Sequence, residues 1–100
     1  MEKLSVKQRR FVWMTHLLIQ YTYNSLGYEL TYGDAYATTG HKKGSFHGKR
    51  LALDFNLFIN GKYTRSTEAH RPLGEYWESL GGTWGGRFKK KDGNHYSYCE

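Results

Sequence analysis

The stretch from Leu51 to Ile59 reads Leu-Ala-Leu-Asp-Phe-Asn-Leu-Phe-Ile and runs straight into Asn60-Gly61. A run this apolar does not suit a strand with one wet face. It predicts a central strand covered on both sides. Asn-Gly is the preferred pair for a two-residue hairpin turn, because both positions need a positive φ. Lys62 to Thr64 is then the short return strand. One residue conflicts with this environment. Asp54 puts a carboxylate in the middle of the strand, and burying it is costly unless it is paired or binds a metal. Whatever the chain folds into must provide for that carboxylate.

The rest of the sequence supplies elements to pack on this strand. Residues 5–25 read as a helix, with Ser5 able to cap its start. Phe11, Met14, Leu18 and Tyr21 recur at spacings of three and four, Leu17 widens the stripe, and Gly27 is a natural stop. Tyr28, Leu30 and Tyr32 alternate with Glu29 and Thr31, predicting a strand within 28–36. Residues 37–49 have no apolar period and read as a loop. A second helix is predicted over 67–80, with Pro72 in its first turn and Leu73, Trp77 and Leu80 as its stripe. Gly81-Gly82 end it. Residues 83–93 read as a loop carrying Lys89-Lys90-Lys91, and 94–98 as a closing strand. No repeat or linker interrupts 100 residues, a length that suits one core. The expected architecture is α+β: a small antiparallel sheet packed against helices, in a single domain spanning residues 1–100.

Composition removes several classes. The one cysteine, Cys99, excludes a disulfide scaffold and a cysteine-based zinc finger. No apolar run approaches the ~18 residues of a membrane span. Lys3, Lys7, Arg9 and Arg10 precede an apolar stretch from Phe11, but His16, Gln20, Tyr21 and Asn24 interrupt it and no small-x-small cleavage site follows. The N-terminus therefore reads as mature protein made in the cytoplasm. A net charge of +6 directs the chain toward a polyanion: nucleic acid, an acidic membrane surface or an anionic wall polymer. A small basic nucleic-acid-binding module fits the charge and the aromatics. It does not account for Asp54, and the basic residues are scattered.

Five histidines are many for this length. His16 falls inside the first helix, and His70 in a polar stretch just before Pro72; both read as structural or surface residues. His41 lies in the Lys/Gly loop. His47 and His95 each stand at the entrance to a predicted strand, where a sheet edge can hold them close to Asp54. Two histidines and a carboxylate are one form of catalytic zinc site, with the fourth position left for water. A base must still take the proton and pass it to the leaving amine. Asp92, three residues before His95, is placed to point into the same pocket, although Asp92-Gly93 is also an ordinary turn pair.

Ser45-Phe46-His47, followed after six residues by Asp54, resembles the Ser-x-His and Asp signature of zinc peptidases. That family includes D-Ala-D-Ala carboxypeptidases, D,D-dipeptidases and phage L-alanyl-D-glutamate endolysins. The similarity continues in order through Leu73-Gly74-Glu75-Tyr76-Trp77, Trp84-Gly85-Gly86-Arg87-Phe88 and Asp92-x-x-His95-Tyr96. The resemblance implies one zinc per chain held at the sheet by His47, Asp54 and His95, with Asp92 as the catalytic acidic residue. Ser45 would lie near the substrate backbone. Trp84, which by sequence alone fits core or cleft equally, would line the cleft. Relatives carry an arginine after the tyrosine that ends the first strand, where this chain has Ala37. Arg50, ahead of Lys43, is the candidate for the missing cation that stabilises the oxyanion.

The implied function is a peptidoglycan stem-peptide peptidase of small phage or prophage endolysin type, cutting L-Ala–D-Glu, with D-Ala–D-Ala as the alternative bond. The expected partner is peptidoglycan, with no nucleic acid and no membrane insertion, and the expected state is a monomer. Such a protein would remain in the host cytoplasm until released to the wall or periplasm.

Overall fold

Strand pairing around residues 52–59 organises the molecule. The structure, a computed structural model, describes residues 2–34 and 49–99. Helix α1 (Leu4–Tyr21) buries Phe11, Met14 and Leu18. It starts from Lys3 with no side-chain cap, so Ser5 is inside the helix and not its cap. The helix widens into a π turn over Thr22–Leu26, where the buried Thr22 hydroxyl donates to the Leu18 carbonyl at 2.8 Å. Gly27, at φ 69°, then ends it in the left-handed region where glycine carries no Cβ penalty.

Strand β1 (Glu29–Tyr32) is shorter than its alternation suggests. Beyond it, Gly33 donates to the Asp54 carbonyl at 2.8 Å, and Asp54 N–H donates to the Asp34 carbonyl at 2.6 Å. Strand β2 (Ala52–Ile59) returns through Asn60 and Gly61, both at positive φ as the Asn-Gly pair requires, into β3 (Lys62–Thr64). Helix α2 (Thr67–Ser79) is capped by Ser66, whose hydroxyl accepts from the Ala69 N–H at 3.1 Å. That cap fixes the helix start at Thr67 and puts Pro72 in the second turn, not the first. Its ring there removes the helical donor to the Glu68 carbonyl. The segment read as a loop after Gly82 holds β4 (Thr83–Trp84) and a 3-10 turn over Gly85–Arg87. Two residues are too few for an alternation to show. Strand β5 (His95–Ser97) closes the sheet.

All pairings are antiparallel, in the order β1-β2-β5-β4, with β3 also on β2. This is the expected α+β arrangement. β2 faces β1 on one edge over Phe55–Phe58. Its other edge is shared: β5 pairs with Ala52–Asp54, and β3 with Leu57–Ile59. Leu53, Phe55 and Leu57 point into the core with Leu18, Leu73, Trp77, Trp84 and Tyr96. Asp54, Asn56 and Phe58 alternate to the other face and are half-buried. β2 is thus buried on one face and only partly covered on the other, among the described residues, rather than enclosed on both. Trp77 anchors α2 on the sheet: its indole meets Phe11 and Tyr96 edge-on at 5.8 and 6.1 Å and donates to the Ser97 carbonyl at 2.7 Å. No helix among the described residues is long and apolar enough to cross a membrane.

His70 is structural and fully buried, its Nδ1 2.7 Å from the Tyr96 hydroxyl. Burial pushes its pKa down from 6.5 to about 4. The folded protein therefore resists a proton that the unfolded chain accepts, so this contribution is intact above pH 6.5 and is lost as pH falls toward 4. We expect metal-free protein to lose about 2 kcal/mol of stability between pH 7 and pH 5 from this group. Urea titrations at the two pH values, on wild type and His70→Gln, check it; an equal acid loss in both proteins contradicts the assignment.

Candidate metal centre

The register of β2 on β5 sets the first pair. Asp54 lies directly opposite His95. Both backbone polar groups of Asp54 are engaged on the β1 side by Gly33 and Asp34. Toward β5, then, Asp54 and His95 form a non-hydrogen-bonded pair, the closer of the two antiparallel kinds, with both side chains on the same face. His95 Nδ1 is 3.7 Å from Asp54 Oδ1. The histidine side chain is 8% exposed and the aspartate 21%.

A turn supplies the third residue. His95 N–H donates to the Asp92 carbonyl at 3.1 Å, closing the turn Asp92-Gly93-Asn94-His95. Asp92 is therefore the turn residue its Asp-Gly pair suggests, and the turn also brings its carboxylate back toward His95. One ligating atom from each of Asp54, Asp92 and His95 lies within 4.8 Å of the others.

Residues outside this group hold the turn in place. Asp92 N–H donates to the Gly85 carbonyl at 2.9 Å, and the Trp84 indole donates to the Gly93 carbonyl at 2.7 Å. Trp84 is fully buried, with its ring against Gly74 of α2 and Gly86. The guanidinium carbons of Arg71 and Arg87 lie 5.5 and 5.4 Å from its ring centre. Trp84 is thus a core residue that positions the turn and does not form a cleft wall. Gly85 has no space for a side chain: a Cβ there would collide with the Asp92 carbonyl and come within 2.8 Å of the His95 Cβ. The sequence signal for both roles was present in Trp84-Gly85-Gly86, but the target of the indole N–H depends on tertiary packing.

Zinc is the metal that the resemblance implies, and Asp54 and His95 fit it. Asp54 Oδ1 is buried and out of hydrogen-bond reach of the described donors. Carboxylate oxygen and imidazole nitrogen are both normal zinc ligands. Of the residues expected at the site, Asp54, Asp92 and His95 are brought together. His47 and Ser45 lie outside the described residues, as do Ala37, His41, Lys42 and Lys43. Arg50 is exposed just before β2, with a left-handed backbone at φ 58°.

A family model described as D-alanyl-D-alanine carboxypeptidase matches residues 39–98. That span is more than half the chain and contains β2 through β5 with Asp54, Asp92 and His95. The chain belongs to this family, whose members are zinc peptidases of peptidoglycan. A comparison with curated proteins finds no match.

Gly85→Ala tests the role of the turn. The added methyl must push Asp92 and His95 apart, so zinc affinity should fall at least tenfold, about the cost of losing a group that orients a ligand. Competition with a chelator measures it. Unchanged affinity in folded Gly85→Ala protein would show that the turn is not held from this side.

Proposed function

We propose that the protein is a zinc-dependent endopeptidase of the bacterial wall, of phage or prophage endolysin type, that hydrolyses the stem peptide at L-Ala–D-Glu. The observation that carries the reading is the convergence of Asp54, Asp92 and His95 within 4.8 Å in a chain of this peptidase family. In this reading residues 1–100 are one catalytic domain that acts as a monomer. The metal is held by Asp54 and His95 with His47 as the third ligand, one ion per chain. When bound, zinc would lower the pKa of a water to about 7 and polarise the scissile carbonyl.

The chain's own groups supply the remaining steps. Asp92, exposed beside the half-buried Asp54, accepts the proton of the attacking water and returns it to the departing amine. Ser45 contacts the substrate backbone. Arg50 supplies the cation that relatives place at the position of Ala37, and it acts on the oxyanion. The +6 charge provides affinity for an anionic wall. The protein would act after release from the host cytoplasm. The same site would serve D-Ala–D-Ala, as the family description says of its members.

Digestion of purified peptidoglycan followed by mass spectrometry separates the two bonds. A free amine on D-Glu is the expected product; free D-alanine supports the carboxypeptidase reading. Intact stem peptides after incubation with zinc-loaded protein would overturn both.

Two substitutions test the assigned roles. Asp92→Asn should keep one zinc per chain and lose about 10²–10⁴ in kcat. His95→Ala should lose the metal as well, and with it the thermal stabilisation that a native-state ligand provides. Metal analysis, turnover and melting on the same preparations read all three. Near-normal turnover in Asp92→Asn moves the base elsewhere.

A further inference from the structure

Where β2 parts from β5 and takes up β3, a cavity of about 240 Å³ opens at the edge of the sheet. Asp92 forms part of its wall, so the cavity adjoins the metal centre. Asn56, Thr64, Arg65, His70 and Lys91 are also in the wall. Its volume is below the ~300–1,000 Å³ of an ordinary ligand pocket, a size for one amino-acid residue and not for a length of peptide.

The charges around this cavity are uneven. Arg10, Arg71 and Arg87 are each spent in ion pairs, with Glu2, Glu68 and Glu78. Arg65 and Lys91 have no hydrogen-bond or ion-pair partner among the described residues. Lys91 feels the field of Glu68, but both oxygens of that carboxylate are already held by Arg71 at 2.8 Å. His70 is committed to the Tyr96 hydroxyl. The net field is therefore that of two available cations opposed by Asp92 on the side of the metal centre. Thr67, the first residue of α2, adds the positive end of that helix. Thr64 and Asn56 lie beside them but are already engaged: the Thr64 hydroxyl donates to the Lys62 carbonyl at 3.0 Å, and the Asn56 amide donates to the Thr31 hydroxyl at 3.3 Å.

Both bonds considered above leave the same group on the departing residue. A terminal D-Ala carries its own carboxylate. D-Glu continues the stem through its γ-carboxyl and leaves its α-carboxylate free. We infer that Arg65 and Lys91 form a subsite for the α-carboxylate of the residue whose amine leaves. This rests on the peptidase reading for the identity of the substrate. The subsite itself rests on the cavity and its cations. An arginine matches a carboxylate with two parallel N–H donors, and an amide in place of the acid loses the charge that makes those bonds strong. Asp92 repels the carboxylate from the catalytic side, so the leaving residue is oriented with its acid toward Arg65 and Lys91.

The first test needs no catalysis. Labelled protein is titrated with D-alanine and with D-alaninamide while the Arg65 Nε–H is followed by NMR. The acid should move this resonance at millimolar concentration, the amide at least tenfold less well. Arg65→Gln and Lys91→Gln should each weaken D-alanine binding about tenfold, and Arg10→Gln, whose partner Glu2 lies outside the cavity wall, should leave it unchanged. Equal responses to acid and amide, or none, overturn the subsite.

The second test compares stem peptides bearing the free α-carboxylate or its amide on D-Glu. Wild type should favour the acid at least tenfold in kcat/KM. Arg65→Gln should raise KM for the acid and leave the amide unchanged, with zinc content constant. Binding of D-alanine without cleavage of either peptide would sink the L-Ala–D-Glu reading and leave the subsite standing. Equal cleavage of acid and amide, with no D-alanine binding, would do the reverse.

Discussion

The edge of β2 that faces β5 and β3 determines the rest of the molecule. One edge cannot pair with two partners over the same residues, so β5 takes Ala52–Asp54 and β3 takes Leu57–Ile59. Between them the ladder parts, with a last bond from Phe55 N–H to the Asn94 carbonyl at 3.0 Å. Asp54 is the last β2 residue in register with β5, and His95 the first β5 residue in register with β2. The candidate metal-binding group therefore stands at the mouth of the fork, and the polar cavity lies within it. A single strand placement produces both.

Rigidity at the fork comes from its core side. Core packing holds the indole of Trp84, the indole holds the carbonyl of Gly93, and the backbone of Gly85 holds that of Asp92. Each link is short, and none uses a side chain needed for chemistry. Burial of the ring supplies the free energy, while the hydrogen bond supplies direction. The arrangement lets an exposed carboxylate keep its position although water can reach it.

Much of this was legible because it is local. The apolar run with Asn60-Gly61 specifies β2 and its hairpin, Gly27 ends the first helix, and Asp54 in an apolar strand signals a need for a partner. The sequence pattern failed where the decisive contact is distant. Whether Trp84 lines a cleft or fills the core depends on Gly74 and Gly86 meeting its ring. The start of α2 at Thr67 agrees with the expected helix, and Pro72, six residues into it, belongs to its second turn. The second face of β2 looked covered because Leu53, Phe55 and Leu57 are interleaved with Ala52 and Phe58, and composition alone does not assign alternate residues to faces. For His70 the sequence left a structural and a surface role both open, because nothing near it in sequence names Tyr96.

The pairing of β2 with β5 also orders the assembly of the chain. The hairpin partners of β2 and β3 meet across two turn residues. Asp54 and His95 meet across a segment of about 40 residues, and closing such a loop costs about 2 kcal/mol more entropy than closing the hairpin. In the folded protein that contact is supported by α2 and Trp84, since both hold the turn that carries His95. A chain that has formed its helices and its hairpin but not this last pairing has no place for the metal. The grouping of Asp54, Asp92 and His95 is thus a property of the completed fold, and a molecule without the β2–β5 pairing does not present it.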